Sequence, residues 1–299
     1  MKLFAPKYYK DFCCIADKCR HSCCIGWEID IDDESDEKYR ILSEGYGKVI
    51  RDSVSRDGPP HFVLKENDRC PHLDERGLCR IIINLGEDYL CHICREHPRF
   101  YNETPLGMEV GLGMCCEEAA RLILGSDGYD ETELIGEAEE LIPNSPFDSL
   151  SHRKKIYSIL SDRSRSLTER IIEIEKEYGV YVNSRTEKDW RELLSALEYL
   201  DSSHRDMFQA YSENPKPIKE LEKPLERALA YFIYRHVTPS ENENDLKAAI
   251  GFSIFCCRLI CSLAAHFPKA PIADLARTVS EELEYSEENT EAIKLEFMF

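Results

Sequence analysis

From about residue 129 onward, apolar side chains recur at three- and four-residue intervals, the period of an amphipathic helix. The segments "DSLSHRKKIYSILSDRSRSLTERIIEIEKEYG", "TEKDWRELLSALEYLDSSHRDMFQAYSEN", "PLERALAYFIYRHVT" and "ENDLKAAIGFSIFCCRLICSLAAHF" carry this spacing. So do "ETELIGEAEELI", "IADLARTVSEELEYS" and "SEENTEAIKLEFMF". Pro143, Pro146, Pro215 and Pro217 punctuate them, and Pro224 opens one at its first turn, where its missing N–H costs nothing. The first 125 residues read differently. Turn-rich breaks at "DGPPHF", "DERGLC" and "NETPLG" separate short segments. A capped helix is predicted after Asp32 or Asp33, with Tyr39, Leu42 and Tyr46 on one face. "HFVLKE" and "GMEVGLGM" read as short strands, and "CCEEAARLILG" as a helix stopped by Gly125. The pattern predicts a mainly α protein. A cysteine-rich α/irregular metal-binding N-terminal half, residues 1–128, packs with a C-terminal helical half, residues 129–299.

Charge narrows the function classes. A net charge of −19 over 299 residues argues against binding a nucleic-acid backbone, which needs a basic stripe, and against anionic membrane surfaces. The opening "MKLFAPKYYKDFCC" has no apolar h-region and no small-residue cleavage site, so no signal peptide and a cytoplasmic location are expected. The most apolar run, residues 248–267, contains Arg258 and His266 and reads as a buried core helix rather than a membrane span. Cytoplasmic thiols stay reduced, which disfavours a disulfide scaffold.

That matters because eleven of the fourteen cysteines lie between Cys13 and Cys116. Cys256, Cys257 and Cys261 sit in the apolar run and read as small core hydrophobes. The others concentrate in "DFCCIADKCRHSCCIGWEID", "RCPHLDERGLCR" and "CREHPRF". Cys14, Cys19, Cys23, Cys24, Cys70, Cys79, Cys94 and Cys116 are the candidate metal ligands, through thiolate sulfur suited to zinc or to an iron–sulfur cluster. Spacing alone does not choose between them. The vicinal pair Cys23–Cys24 diverges too much to serve one mononuclear ion, and either that pair or Cys91-x2-Cys94 would alternatively make a redox site. His72, His92 and His97 flank the thiols as minor ligand candidates, and Trp27 beside them reads as core or as a shield. Several motifs fail. CxxxCxxC breaks at Gly26, "EVGLGM" lacks the third glycine of a dinucleotide loop, and no P-loop, HExxH or GxSxG is present. Tyr231, Tyr234 and Arg235 lie on a helix whose apolar stripe reads as core.

Taken together, "YYKDFCCIADKCRHSCCIGWEIDID", "RCPHLDERGLCRIIINLGEDYLCHICREHPRFY" and "CCEEAARL" resemble the FliB family of flagellin lysine N-methylases. "ALAYFIYRHV" and "EYSEEN" are similar to that family's helical region and tail. A shorter version of the cysteine pattern is also similar to the YkgJ-type zinc- or iron-chelating domains. The resemblance implies a cytoplasmic enzyme that methylates flagellin lysines with S-adenosylmethionine and a [4Fe–4S] cluster. It carries the family's cysteines onto the eight thiols named above and leaves out Cys13, Cys91 and Cys115. The competing expectation is a zinc- or iron-binding module without methyl transfer. Lysine is protonated at neutral pH, so polar methyl transfer requires a neutral amine, reached by desolvation or a base.

Overall fold

The structure is a computed structural model that describes residues 2–137, 147–182 and 185–298. In chain order its elements begin with β1 (Lys2–Pro6), α1 (Asp33–Arg40), α2 (Gly45–Asp52), β2 (Val54–Ser55), β3 (His61–Phe62), α3 (Arg80–Leu85) and α4 (His92–Glu96). Next come β4 (Arg99–Thr104), β5 (Gly107–Leu112), α5 (Glu117–Gly125), β6 (Thr132–Glu137), α6 (Ser149–Leu160) and α7 (Leu167–Tyr178). The last are α8 (Glu187–Ala196), α9 (Ser202–Phe208), α10 (Glu222–Val237), α11 (Glu243–His266), α12 (Ile272–Glu284) and α13 (Glu287–Leu295). Two compact units divide the chain: Met1–Phe12 with Arg99–Phe299, and Cys13–Pro98.

The smaller unit is built from short elements around a small apolar core. Asp32 caps α1 by accepting the N–H of Ser35 at 3.0 Å. Ile29, Ile31, Tyr39, Ile50, Phe62, Leu73 and Ile81 fill the core together with Cys70 and Cys91. The loops around it are stitched by single backbone bonds, among them Cys70 N–H to the Cys24 carbonyl at 2.8 Å. The helix expected from Asp33 to Ile50 breaks before Gly45, which adopts φ +54° and starts α2. The strand expected over 61–66 keeps two residues, paired with β2.

In the larger unit, β4, β5, β1 and β6 form a sheet in that order, with β1 parallel to β5 and antiparallel to β6. Gly107 makes the β1–β5 approach feasible: at φ +142° a Cβ there would stand 2.3 Å from the Lys2 carbonyl oxygen. The helices of this unit are closed by local end signals. Ser166 and Glu169 form a capping box on α7, and Gly179 closes it in the left-handed region. Asn242 caps α11, which is buried along nearly its whole length. Arg258 in that apolar run pairs with Glu175 at 2.9 Å. Among the described residues α11 is the one helix long and apolar enough to cross a membrane, and the unit's own core covers it.

The expected architecture needs correction. Among the described residues the fold is mostly helical with two small sheets, and no cysteine-rich N-terminal half gathers ligands for a metal. "ETELIGEAEELI" illustrates why. Its helical spacing is real, yet residues 132–137 form an edge strand because β1 supplies backbone partners along them. The rest of that segment lies outside the described residues.

Trp190 anchors the far end of the larger core. It is fully buried, stacks 4.4 Å from Phe255 and 5.7 Å from Phe297, and donates its indole N–H to Val182 at 3.0 Å. Trp190→Ala should lower unfolding stability by about 3–5 kcal/mol, read by urea denaturation.

Candidate functional site

The thiols of the smaller unit fall into two groups. Cys13 and Cys14 are exposed, and Cys19 follows a single turn of 3-10 helix. Cys24, Cys70, Cys79, Cys91 and Cys94 belong to the unit's apolar core. The structure therefore gathers four of the eight expected ligands, Cys24, Cys70, Cys79 and Cys94, and adds Cys91, which the resemblance left out. Cys116 belongs to the other unit, as the N-cap of α5.

Proximity stops short of convergence. Among the described residues, no three His, Cys, Asp or Glu donor atoms that include a cysteine lie within 4.8 Å of one another. Four thiolates on one zinc would sit roughly 3.8 Å apart, given bonds of about 2.3 Å. The expected thiol-bound centre, [4Fe–4S] cluster or zinc, is overturned by this geometry, and with it the iron–sulfur description of the protein. The sulfurs are engaged otherwise. The Cys23 thiol hydrogen-bonds Cys24 and, with Ser22 and the charge of Arg69, lowers the Cys24 thiol to about 7. A hydrogen bond from Cys94 lowers Cys91, and the same bond plus burial raises Cys94. Burial, helped by the charges of neighbouring thiols, lifts Cys70 to about 12 and raises Cys79.

Of the flanking histidines, His72 and His97 have buried ring nitrogens. His72 is buried, and both its ring nitrogens meet hydroxyls, Tyr46 at Nδ1 and Ser53 at Nε2, each at 2.9 Å. The backbone N–H of His92 donates to Asp32 at 2.7 Å. His97 sets its ring edgewise to Trp27, 6.1 Å away, and its Nε2 is buried with no hydrogen-bond partner.

A second constellation, which sequence reasoning assigned to plain core, lies in the larger unit on α10. The Glu284 carboxylate is fully buried there. It accepts from Tyr231 Oη at 3.0 Å, His236 Nε2 at 2.7 Å and the Ser280 hydroxyl, with Arg235 Nε at 3.5 Å. Burial pushes Glu284 up, but Arg235, His236 and Ser280 outweigh it and hold it below the ordinary carboxylate value. The Arg235 guanidinium lies between two rings, 4.8 Å from the Phe100 centroid and 4.6 Å from that of Tyr285, and donates to both Tyr231 and Tyr285 hydroxyls. Tyr231 Oη also accepts the N–H of Met114 at 3.0 Å, tying the "GMCC" turn after β5 to the carboxylate.

Beside this network, Tyr8, Tyr129, Tyr157, Tyr231, Tyr234 and Arg227 line a cavity of about 10 Å³. That is room for one water-sized group. Arg227 donates to Leu124 and Asp127, but its buried Nε has no partner, leaving one unsatisfied donor in this wall. An open cleft of about 520 Å³ lies elsewhere in the unit, lined by His152, Lys155, Glu177, Tyr178, Glu243 and Lys247. The α10 constellation escaped sequence reasoning because helical spacing reports burial and not which buried polar groups meet.

The carboxylate network and the cavity share Tyr231. The chain is 27% identical over 168 residues to the flagellar biosynthetic protein FliU of Salmonella muenchen, covering 52% of this chain and 94% of that protein. It is 30% identical over 133 residues to lysine-N-methylases of Salmonella choleraesuis and Salmonella typhimurium, covering 40% of this chain. It spans 31% of the length of those two enzymes. No family model and no solved structure matches it.

Two outcomes test this description. Glu284→Gln leaves Arg235 buried without its counter-charge and should cost about 3–5 kcal/mol in urea denaturation. Burial, with Lys65 and Arg80 nearby, lowers His72 to about 4 from an unfolded value near 6.5. A group depressed in the folded state stabilises above its unfolded pKa, so stability should fall as pH drops from about 6.5 toward 4. The slope from this one residue is at most about 1.4 kcal/mol per pH unit. His72→Gln should remove that share of the slope, measured by denaturation at several pH values.

Proposed function

We propose that the chain transfers methyl groups to lysine side chains, with S-adenosylmethionine as donor and flagellin as the protein substrate, in the cytoplasm. The observation that carries this reading is the 30% identity over 133 residues to lysine-N-methylases. The likeness to a flagellar biosynthetic protein over most of that protein's length supports a flagellar substrate. The FliB-like motifs of the sequence agree with both.

The chemistry asks for an amine without its proton. In the transfer the nitrogen lone pair forms the N–C bond as the C–S bond of the sulfonium breaks, and the proton leaves the nitrogen. Lysine's ordinary pKa near 10.4 keeps that lone pair occupied in water, and a dry site releases it. Arg227 in the wall of the tyrosine-lined cavity is a fixed positive charge that disfavours a second cation in the same space. Tyr231 belongs to both the cavity wall and the Glu284 network, so the ring that lines the cavity is held in place by that network.

The test is a methylation assay of the purified chain with isotopically labelled S-adenosylmethionine and flagellin, with modified lysines located by mass spectrometry. Wild-type chain should add methyl groups to lysine. Tyr231→Phe keeps the ring and should lower kcat by about tenfold, the equivalent of one interaction of about 1.4 kcal/mol. Absence of methyl incorporation above an enzyme-free control, on flagellin and on other lysine-rich proteins, overturns the reading.

A further inference from the structure

The smaller unit decides between the two thiol pairs that the sequence offers for redox chemistry. A disulfide holds its two Cα atoms about 4.4–6.8 Å apart. Cys23 and Cys24 are chain neighbours, and Cα atoms across a trans peptide stand only about 3.8 Å apart, so closing that pair strains the ring. Cys91 and Cys94 are placed differently. Cys91 is the N-cap of α4, and Cys94 is the third residue of the helix. Positions three apart on a helix of radius about 2.3 Å, rising about 1.5 Å per residue, are roughly 5 Å apart, inside the disulfide range. The turn that brings them together is pinned on both sides. Arg95 N–H donates to the Cys91 carbonyl at 3.0 Å, and the Asp32 carboxylate accepts the His92 N–H at 2.7 Å. The Arg95 guanidinium also donates to the Leu90 carbonyl at 2.8 Å.

The side chains meet as this backbone requires. The Cys94 thiol donates a hydrogen bond to the Cys91 sulfur. Cys91 is fully buried in the unit's apolar core, whereas Cys94 is half-buried. A small molecule therefore reaches one sulfur, and the second stands directly behind it. The shared bond lowers the Cys91 thiol and raises that of Cys94, so the first proton leaves the pair more readily than the second.

We propose that Cys91 and Cys94 form a reversible dithiol/disulfide site whose co-reactant is a low-molecular-weight disulfide such as oxidised glutathione. The Cys94 sulfur, its proton given to solvent, attacks one sulfur of that disulfide. A new S–S bond forms, the old one breaks, and one small thiolate leaves. The Cys91 sulfur then attacks Cys94 in the mixed disulfide, and the second small thiolate leaves as the Cys91–Cys94 bond closes. The protein has lost two electrons and two protons, and the small disulfide has gained them as two thiols. An excess of small thiol reverses each step. In a reducing compartment the site rests as the dithiol and closes when the disulfide fraction of the small-thiol pool rises.

Trypsin makes the test direct, because the peptide Ile81–Arg95 carries both residues and no other cysteine. Full-length reduced protein is equilibrated with oxidised glutathione, quenched with acid, alkylated, digested and read by mass spectrometry. The peptide should lose both alkylation sites and two hydrogens, and excess reduced glutathione should restore them. Cys91→Ser should trap one glutathione on Cys94, whereas Cys94→Ser should leave the buried Cys91 without one. Both thiols remaining alkylatable in the wild-type chain under excess oxidised glutathione overturns the proposal, with no variant needed. So does Cys94 joined to a cysteine of another peptide, or an even spread of disulfides over the cysteines of the smaller unit.

Discussion

A helix buried on every side must pair each polar group it carries, because an orphaned charge or hydroxyl in the interior costs more than most single contacts return. Helix α10 is the extreme case in this chain. It buries Glu226, Arg227, Tyr231, Tyr234 and His236 among its apolar residues, and most neighbouring elements of the larger unit meet one of these obligations. Arg170 of α7 neutralises Glu226 at 2.5 Å. The end of α5 supplies Leu124 and Asp127 to Arg227. The β4–β5 hairpin answers with the Val110 carbonyl for Tyr234 and with Asn102, which donates to the Tyr234 carbonyl. Glu109 of the same hairpin forms a bidentate pair with Arg153 of α6, and that guanidinium covers the Tyr234 ring at 4.9 Å. Helix α12 contributes Glu284. The orientation of α10 is thus specified by directional bonds as well as by packing, which is what a site needs if its side chains are to be held in register.

The smaller unit solves a different problem. Its apolar core is small, and cysteine serves there as a compact hydrophobe beside isoleucine and tyrosine. Two thiol pairs, Cys23–Cys24 and Cys91–Cys94, hydrogen-bond internally, and in each pair one thiol is lowered. A run of cysteines close in sequence raises the chance of a shared centre. Whether sulfurs converge depends on the direction of each Cα–Cβ bond, and among the described residues no three donor atoms that include a cysteine share one centre.

What the sequence made legible follows the range of the interaction involved. The helix cap at Asp32 and the buried course of α11 are settled within a few residues, and local spacing reveals them. The strands β1 and β6 exist because residues 2–6 meet residues 132–137, and nothing local marks either segment. The α10 constellation is longer-ranged still: Tyr231 meets Glu284 across 53 positions and Met114 across 117. The reading of Tyr231, Tyr234 and Arg235 as core was right about burial and silent about chemistry.

Burial and chemistry are linked on this helix. A tyrosine whose hydroxyl joins a backbone N–H, an arginine and a carboxylate cannot rotate freely, so the ring it presents to the cavity is fixed. Around that ring stand four more tyrosines and an arginine with one unsatisfied donor, in a space for a single small group. The arginine is a fixed positive charge there, and it disfavours a second cation in the same space. Such an environment favours the neutral form of an amine over the charged one. The same carboxylate network that the fold requires for α10 also keeps the negative charge of Glu284 one hydroxyl removed from the tyrosine ring that lines the cavity.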